Sequence, residues 1–261
     1  MKVVILCGGF GTRMQSHKDN IPKPMIMIGD KPILWHIMKY YSSWGHNEFI
    51  LCLGYQGWKI KEYFMNYKLI NSDFSISLNQ PNDIQYHNRL SEEDWEITMV
   101  ETGLDSMTGS RIKQIQKYIG DDSTFMLTYG DGVCNLNINR QLDFHHSHGK
   151  ILTVTGISRT GQYGELQCDS EGHVTEFQEK PQVADAKISG GYFICNRGIF
   201  EYLDNDKELV FEKEPLQKLM GNKQMMVYNH SDFWGSMDTY KDQLTLNEMY
   251  ENMEAPWKLW N

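Results

Sequence analysis

The sequence has no window of eighteen apolar residues free of charge, so no segment is expected to span a bilayer. The one apolar run near its start is interrupted by Gly8 and Gly9, which denies it the character of a secretory leader. Basic residues are in deficit: 25 Lys and Arg face 34 Asp and Glu, giving a formal charge of −9. Without a basic stripe to neutralise phosphates, neither nucleic acid nor an anionic membrane is an expected partner, whereas a small anion needs only a few cations gathered locally. The five cysteines (Cys7, Cys52, Cys134, Cys168 and Cys195) lie among apolar neighbours with no C-x-x-C spacing. They read as reduced, buried thiols, and these absences together predict a cytoplasmic protein. Internal repeats and low-complexity linkers are missing as well.

What is present is an ordinary globular composition, 40% hydrophobic and 23% charged over 261 residues, enough for a sizeable core. Strand-like and helix-like patterns alternate. "KVVILC" (2–7) is a continuous apolar run, as in a parallel strand covered on both faces. "PILWHIMKYYSSWG" begins with Pro32, ends at Gly45 and places Ile33, Ile37 and Tyr40 or Tyr41 on one helical face. Strands over 48–54, 95–102 and 124–131 alternate with helices over 58–67, near 110–119 and near 138–148. This spacing implies βαβ crossovers and a twisted, mostly parallel sheet, with ligands beyond the carboxyl ends of its strands. After about residue 150 the pattern changes to shorter strands ("ILTVTGIS", "GELQCD", "HVTEFQEK", "GGYFICN"), then a helix near 212–221, a strand "QMMVYNH" and a last helix over about 239–252. Loops over 82–94 and 103–109 look irregular. The expected fold is one α/β domain over 1–261, Rossmann-like, with a strand-rich excursion in its second half.

The first strand runs into "GGFGTRM" (8–14), and prolines at 22 and 24 delay any helix. Three general readings compete. A dinucleotide fingerprint G-x-G-x-x-G finds Gly9 and Gly11 but Met14 in place of the third glycine. A P-loop would need G-K-[ST], and the lysine is absent at that spacing. A plain strand-to-loop turn remains, although loops this long in compact domains usually carry function.

G-G-x-G-T-R followed by P-K-P (22–24) resembles the sugar-1-phosphate nucleotidyltransferases. The chemistry suits the residue types. Glycines let backbone N–H groups close on a triphosphate, Arg13 offers a planar pair of donors, and Lys23 is a compact charge in a stretch stiffened by its flanking prolines. The resemblance implies that Leu6, Gly8, Gly9, Gly11, Thr12, Arg13 and Lys23 bind nucleotide, with Arg13 and Lys23 catalytic. It also implies that Asp131 of "TYGDG" and Asp238 of "FWGSMDTYKD" hold Mg²⁺, Asp131 serving the nucleotide site too. By themselves these aspartates could be a turn residue and a helix cap. "YGE", "FQEKP" and "SGGYF" resemble the acceptor-site segments, assigning Gly164, Glu165, Glu179, Lys180, Ser189 and Gly190 there, although Glu179-Lys180 alone would be a surface charge pair.

Within the family, "TGLDSMTGSR" (102–111) resembles glucose-1-phosphate cytidylyltransferases, as do "KPILWHIM", "YGDGV", "FWGSMDT" and "APWKLW", so the likeness runs from Lys2 to Trp260. It implies CTP as donor, a homo-oligomer, and Gly103, Arg111 and Thr108 at the nucleotide. Two departures fall on the acceptor side: Glu165 where the family usually has Ala, and Ser189 where it usually has Asn. Glu165 either faces solvent or marks an amine-bearing acceptor such as an amino-sugar phosphate or phosphoglutamine. The expected reaction is in-line attack of an acceptor phosphate on the α-phosphorus of CTP, most simply by glucose 1-phosphate, releasing CDP-glucose and pyrophosphate. A nicotinamide oxidoreductase, an Asp-x-Asp glycosyltransferase and a non-catalytic nucleotide-sugar sensor are the rival readings. "DFHHSHGK" (143–150) reads as a helix end rather than a zinc site. Trp257 and Trp260 suggest a tail docked on the core or on a neighbouring subunit.

Overall fold

The computed structural model describes residues 1–9, 21–90, 92, 94–160, 165–168, 174–178 and 182–260. Its centre is a seven-stranded sheet of β1 (Lys2–Leu6), β2 (Glu48–Leu53), β3 (Glu96–Glu101), β4 (Thr124–Tyr129), β5 (Leu152–Thr160), β6 (Gln182–Asn196) and β7 (Met225–His230). The strand order is β3-β2-β1-β4-β6-β5-β7, with β6 antiparallel to both its neighbours and the remaining pairs parallel. This is the mixed, mostly parallel sheet expected.

The apolar run of β1 is explained by its position. Val3, Ile5 and Cys7 pack into one core with Leu51, Met126 and Trp257, while Val4 and Leu6 pack into the other with Ile50, Phe125 and Phe193. A strand covered on both faces cannot alternate in polarity. Helix α1 (Ile33–Ser42) starts directly after Pro32, whose ring suits the position before the first turn, and buries eight residues. Helices α2 (Gly57–Met65), α3 (Thr108–Gln114), α4 (Ile138–His148), α5 (Glu214–Gly221) and α6 (Tyr240–Glu251) follow. Among the described residues no helix is long and apolar enough to cross a membrane.

Three features differ from expectation. A hairpin of Phe74–Ser77 and Gln80–Tyr86 stands where an irregular loop was expected over part of 82–94; its alternating side chains Phe74, Ile76 and Leu78 are exposed rather than packed on the core. The helix near 110–119 begins at Thr108 and breaks at Ile115 into two short pieces. Strand β6 extends back to Gln182, well before "GGYFICN", because it gains cross-strand partners on β5.

The C-terminal tail docks on the chain's own core. Trp257 is fully buried, stacks on Phe233 and points its indole N–H at His36 Nδ1, 3.4 Å away. His36 Nε2 lies 2.9 Å from the Ile28 carbonyl, which can only accept, so the ring is a neutral tautomer donating from Nε2. Cys7, Cys52, Cys134 and Cys195 are free and buried, and burial pushes the Cys52 and Cys134 thiols up to about 12. His145 and His148 both face the Thr153 hydroxyl at 2.8 Å, and among the described residues no group of three or more His, Cys, Asp or Glu is placed to hold a metal.

Candidate active site

The strand order reverses direction between β1 and β4, and there a cleft of about 400 Å³ opens at their carboxyl ends. Leu6, Gly8, Gly9, Lys23, Thr108, Arg111 and Asp131 line it, as do Ser106 and Tyr129. A smaller pocket of about 60 Å³ adjoins it, lined by Asp131, Ser189, Gly190, Gly191, Trp234 and Ser236 among others. Tyr129 and Asp131 belong to both.

Lys23 sits in a single 3-10 turn, Lys23–Met25, closed by Met25 N–H donating to Pro22 O and Ile26 N–H to Lys23 O. Pro24 is buried against Gly130, where an added Cβ would meet the proline ring and Leu6 O at 3.0 Å. The turn is therefore clamped between the ends of β1 and β4. Lys23 Nζ donates to Asp131 Oδ2 at 2.7 Å and to Asp238 Oδ1 at 2.8 Å. Burial alone would depress this ammonium, but the charges and hydrogen bonds of the two carboxylates hold it above the usual lysine value.

The aspartates are far apart in sequence and are joined by a short antiparallel ladder, Gly132–Cys134 with Trp234–Ser236, in which Ser236 pairs with Gly132. Met237 N–H donates to Asp131 O at 2.8 Å, fixing the next step. Asp238 does not cap the helix after it. Thr239 does, in a reciprocal capping box with Asp242, leaving Asp238 Oδ1 for Lys23 and Oδ2 for the Ser236 hydroxyl.

Two of the expected nucleotide residues have their polar groups engaged within the protein. Arg111 is 4% exposed, and its Nη atoms donate to Gly8 O, Leu53 O, Gly103 O, Leu104 O and the Thr102 hydroxyl. It binds together the loops that leave β1, β2 and β3. Gly8 and Gly54 make room for it: a Cβ at either would fall 2.2 or 2.7 Å from the guanidinium. Gly103 reaches it with φ +91°, a conformation that favours glycine. Thr108 donates to Glu212 Oε2 at 2.6 Å and accepts from Phe211 N–H at 2.9 Å. Both residues line the cleft while bracing its wall, a role that the sequence reading did not give them.

Gly190 O accepts from the Trp234 indole at 2.7 Å, and Ser189 Oγ accepts from Gly191 N–H at 3.3 Å; of the expected acceptor residues, Ser189 and Gly190 line the smaller pocket. Gly11, Thr12, Arg13, Gly164, Glu179 and Lys180 lie outside the described residues, and Glu165 is described only as the first residue of a strand. The sequence reading missed Ser106, Tyr129, Glu212, Trp234 and Ser236. Tyr129 donates to Glu212 Oε1; burial, then that carboxylate, hold its hydroxyl well above the ordinary tyrosine range. Ser236 and Trp234 were within reach, since both stand in the quoted "FWGSMDT".

The family model described as "Nucleotidyl transferase" matches residues 2–252. The chain is 45% identical over 260 residues to the glucose-1-phosphate cytidylyltransferase of Salmonella typhi, covering 100% of both chains. The same figures hold for the probable glucose-1-phosphate cytidylyltransferase of Bacillus subtilis (strain 168). Among solved structures, HddC from Yersinia pseudotuberculosis superposes with a TM-score of 0.68 at 25% identity, over 95% of this chain and 99% of that one.

Proposed function

The chain belongs to the nucleotidyl transferase family, and from that premise we propose that it transfers a cytidylyl group from CTP to glucose 1-phosphate, giving CDP-glucose and pyrophosphate. The observation that carries the reading is the meeting of Lys23, Asp131 and Asp238 where the larger cleft joins the smaller pocket. The cleft takes CTP, and the smaller pocket takes the sugar phosphate beside Ser189 and Gly190.

A sugar phosphate loses its second proton near pH 6, as phosphomonoesters do, so the nucleophile is a dianion at neutral pH without a general base. One of its oxygens forms a bond to the α-phosphorus as the bond to pyrophosphate breaks. The site's task is then to bring two anions together, by orientation and by charge. Lys23 from its clamped turn, with Arg13 and Lys180, supplies positive charge in this reading; Glu179 and the Gly164-Glu165 segment take sugar hydroxyls. Arg111 holds the loops that enclose the base, with Gly103 among its acceptors and Thr108 in the lining of the cleft.

Asp131 and Asp238 fit Mg²⁺: an oxygen of each converges on one cation, the Lys23 ammonium, and such hard oxygen donors suit a metal that shares its shell with phosphates and water. When bound, the metal neutralises phosphate charge and orients the triphosphate. A homo-oligomer is part of the same reading, supported by the exposed apolar face of Phe74, Ile76 and Leu78 on the hairpin.

The test is pyrophosphate release with Mg²⁺, each of CTP, UTP, dTTP and ATP, and a panel of glucose 1-phosphate, amino-sugar phosphates and phosphorylated amino acids. Turnover fastest with CTP and glucose 1-phosphate is expected. Turnover of CTP only with an amine-bearing acceptor would overturn the acceptor assignment, and preference for another nucleotide would overturn the donor.

A further inference from the structure

Tyr129 and Asp131 stand between the two compartments, since both residues line each, and Tyr129 contributes the bulk of a ring to that partition. On the acceptor side its ring covers Gly191, which has φ +75° and where an added Cβ would fall 2.5 Å from a ring carbon. Its other edge meets Phe193 in a T-shaped contact at 6.0 Å. Among the described residues the phenol oxygen is anchored by Glu212.

Glu212 is exposed, yet it takes two hydrogen bonds from two different walls of the cleft. One oxygen accepts from Tyr129 at the end of β4; the other accepts from Thr108 Oγ1 at the start of α3, 2.6 Å away. The Thr108 hydroxyl accepts from Phe211 N–H at the same time, which leaves its single proton for the carboxylate. The segment carrying Glu212 is itself pinned beneath the base-side loop, by Met107 N–H donating to Lys207 O at 2.8 Å and Ser110 N–H to Leu209 O at 3.2 Å. A Cβ at Gly109 would fall 2.8 Å from Leu209, so the two segments are in close contact.

Resting on the nucleotide and acceptor assignments above, we infer that Glu212 is a positioning residue: by holding Tyr129 to the Thr108 wall it sets the partition that a nucleotide sugar must straddle. A carboxylate is suited to this because both its partners are donors and both its oxygens can accept. Its exposure keeps its contribution to global stability small, so its effect falls on the partition. A nucleotide alone meets the partition from one side only. A nucleotide sugar occupies both compartments, and so does the pair of reacting substrates.

The experiment is calorimetric binding of CTP and of CDP-glucose to the full-length wild type, Glu212→Ala, Glu212→Gln, Tyr129→Phe and the Glu212→Ala/Tyr129→Phe double variant. Tyr129→Phe keeps the ring and loses only the hydroxyl, so it reports even if Glu212→Ala does not fold. The expected result is a CDP-glucose Kd raised about tenfold, as for one lost hydrogen bond to a charged group, and a CTP Kd raised by a clearly smaller factor, since CTP meets the partition from one side. Glu212→Gln, with one acceptor oxygen, falls between, and the double variant is no worse than either single one. Equal weakening of both ligands, no change in either, or additive losses in the double variant would overturn the inference. If the wild type binds neither cytidine ligand, the functional reading fails. The same comparison then runs on whichever triphosphate and nucleotide sugar of the uridine, thymidine or guanosine series it does bind.

Discussion

Lys23 Nζ lies 2.7 Å from Asp131 Oδ2, joining residues 108 positions apart at the mouth of the cleft, and the same nitrogen holds Asp238 at 2.8 Å. The ammonium stands among carboxylates that would otherwise repel one another. Lys23→Ala removes that charge from the reacting centre, and kcat/KM is expected to fall by about 10²–10³, the usual effect of losing one group that stabilises developing charge. Circular dichroism should be unchanged, because the clamp on this turn is made by Pro24 and backbone hydrogen bonds. Normal turnover in this variant would remove Lys23 from the mechanism.

Chelation should separate activity from stability. Because the Lys23 ammonium bridges Asp131 and Asp238 and offsets part of their charge, EDTA is expected to abolish pyrophosphate release and leave the thermal midpoint where it was. A midpoint that drops on adding EDTA would mean that the fold itself depends on the metal.

Arg111 is the buried strut of the larger cleft. Arg111→Ala leaves the carbonyls of Gly8, Leu53, Gly103 and Leu104 without this donor, with a loss of about 3 kcal/mol expected in urea unfolding. Arg111→Lys should not restore stability, since a single ammonium cannot reach acceptors spread over three loops. Stability within experimental error of wild type in Arg111→Ala would refute the strut.

His36 gives the fold an acid limit. Burial, opposed only in part by the hydrogen bond to Ile28, lowers its pKa from 6.5 to about 4. The unfolded chain takes up a proton near pH 6.5 and the folded chain only near 4, so unfolding becomes favoured as the pH falls between those values. The contribution is complete above pH 6.5 and lost on approach to pH 4, and it should shrink in His36→Gln. An unchanged pH slope in that variant would assign the acid limit to other groups.

The hairpin gives a test of assembly. Ile76→Asp places a charge in the middle of the exposed apolar face of Phe74, Ile76 and Leu78, and light scattering should report a smaller species than wild type. If the wild type is a monomer, or the variant has the same mass, that face is not the contact.

Much of the fold was legible because burial leaves a mark on composition. The doubly covered β1 reads as an unbroken apolar run, α1 reads from Pro32 and its periodic face, and α4 was expected over the residues where it forms, Ile138–His148. The first strand of the hairpin at 74–86 left a different mark, the strict alternation of Phe74, Ile76 and Leu78 with Ser75 and Ser77, which the reading of 82–94 as an irregular loop did not use. Lys23, Asp131 and Asp238 were singled out by the resemblance of their short segments to those of the family, and folding brings the three within hydrogen-bonding reach.

By itself, then, the sequence determined the layered sheet, the end of it at which the cleft opens, and, through the family resemblance, the three charged residues that meet there, since hydrophobic period and short motifs are local properties. Only the tertiary structure decided what the polar groups around them do. It turned Arg111 onto backbone carbonyls, made Thr239 rather than Asp238 the helix cap, and brought Glu212 to Tyr129 and Thr108. A hydrogen bond between segments about a hundred residues apart, as from Thr108 to Glu212, depends on where folding delivers each group, and no local pattern encodes that.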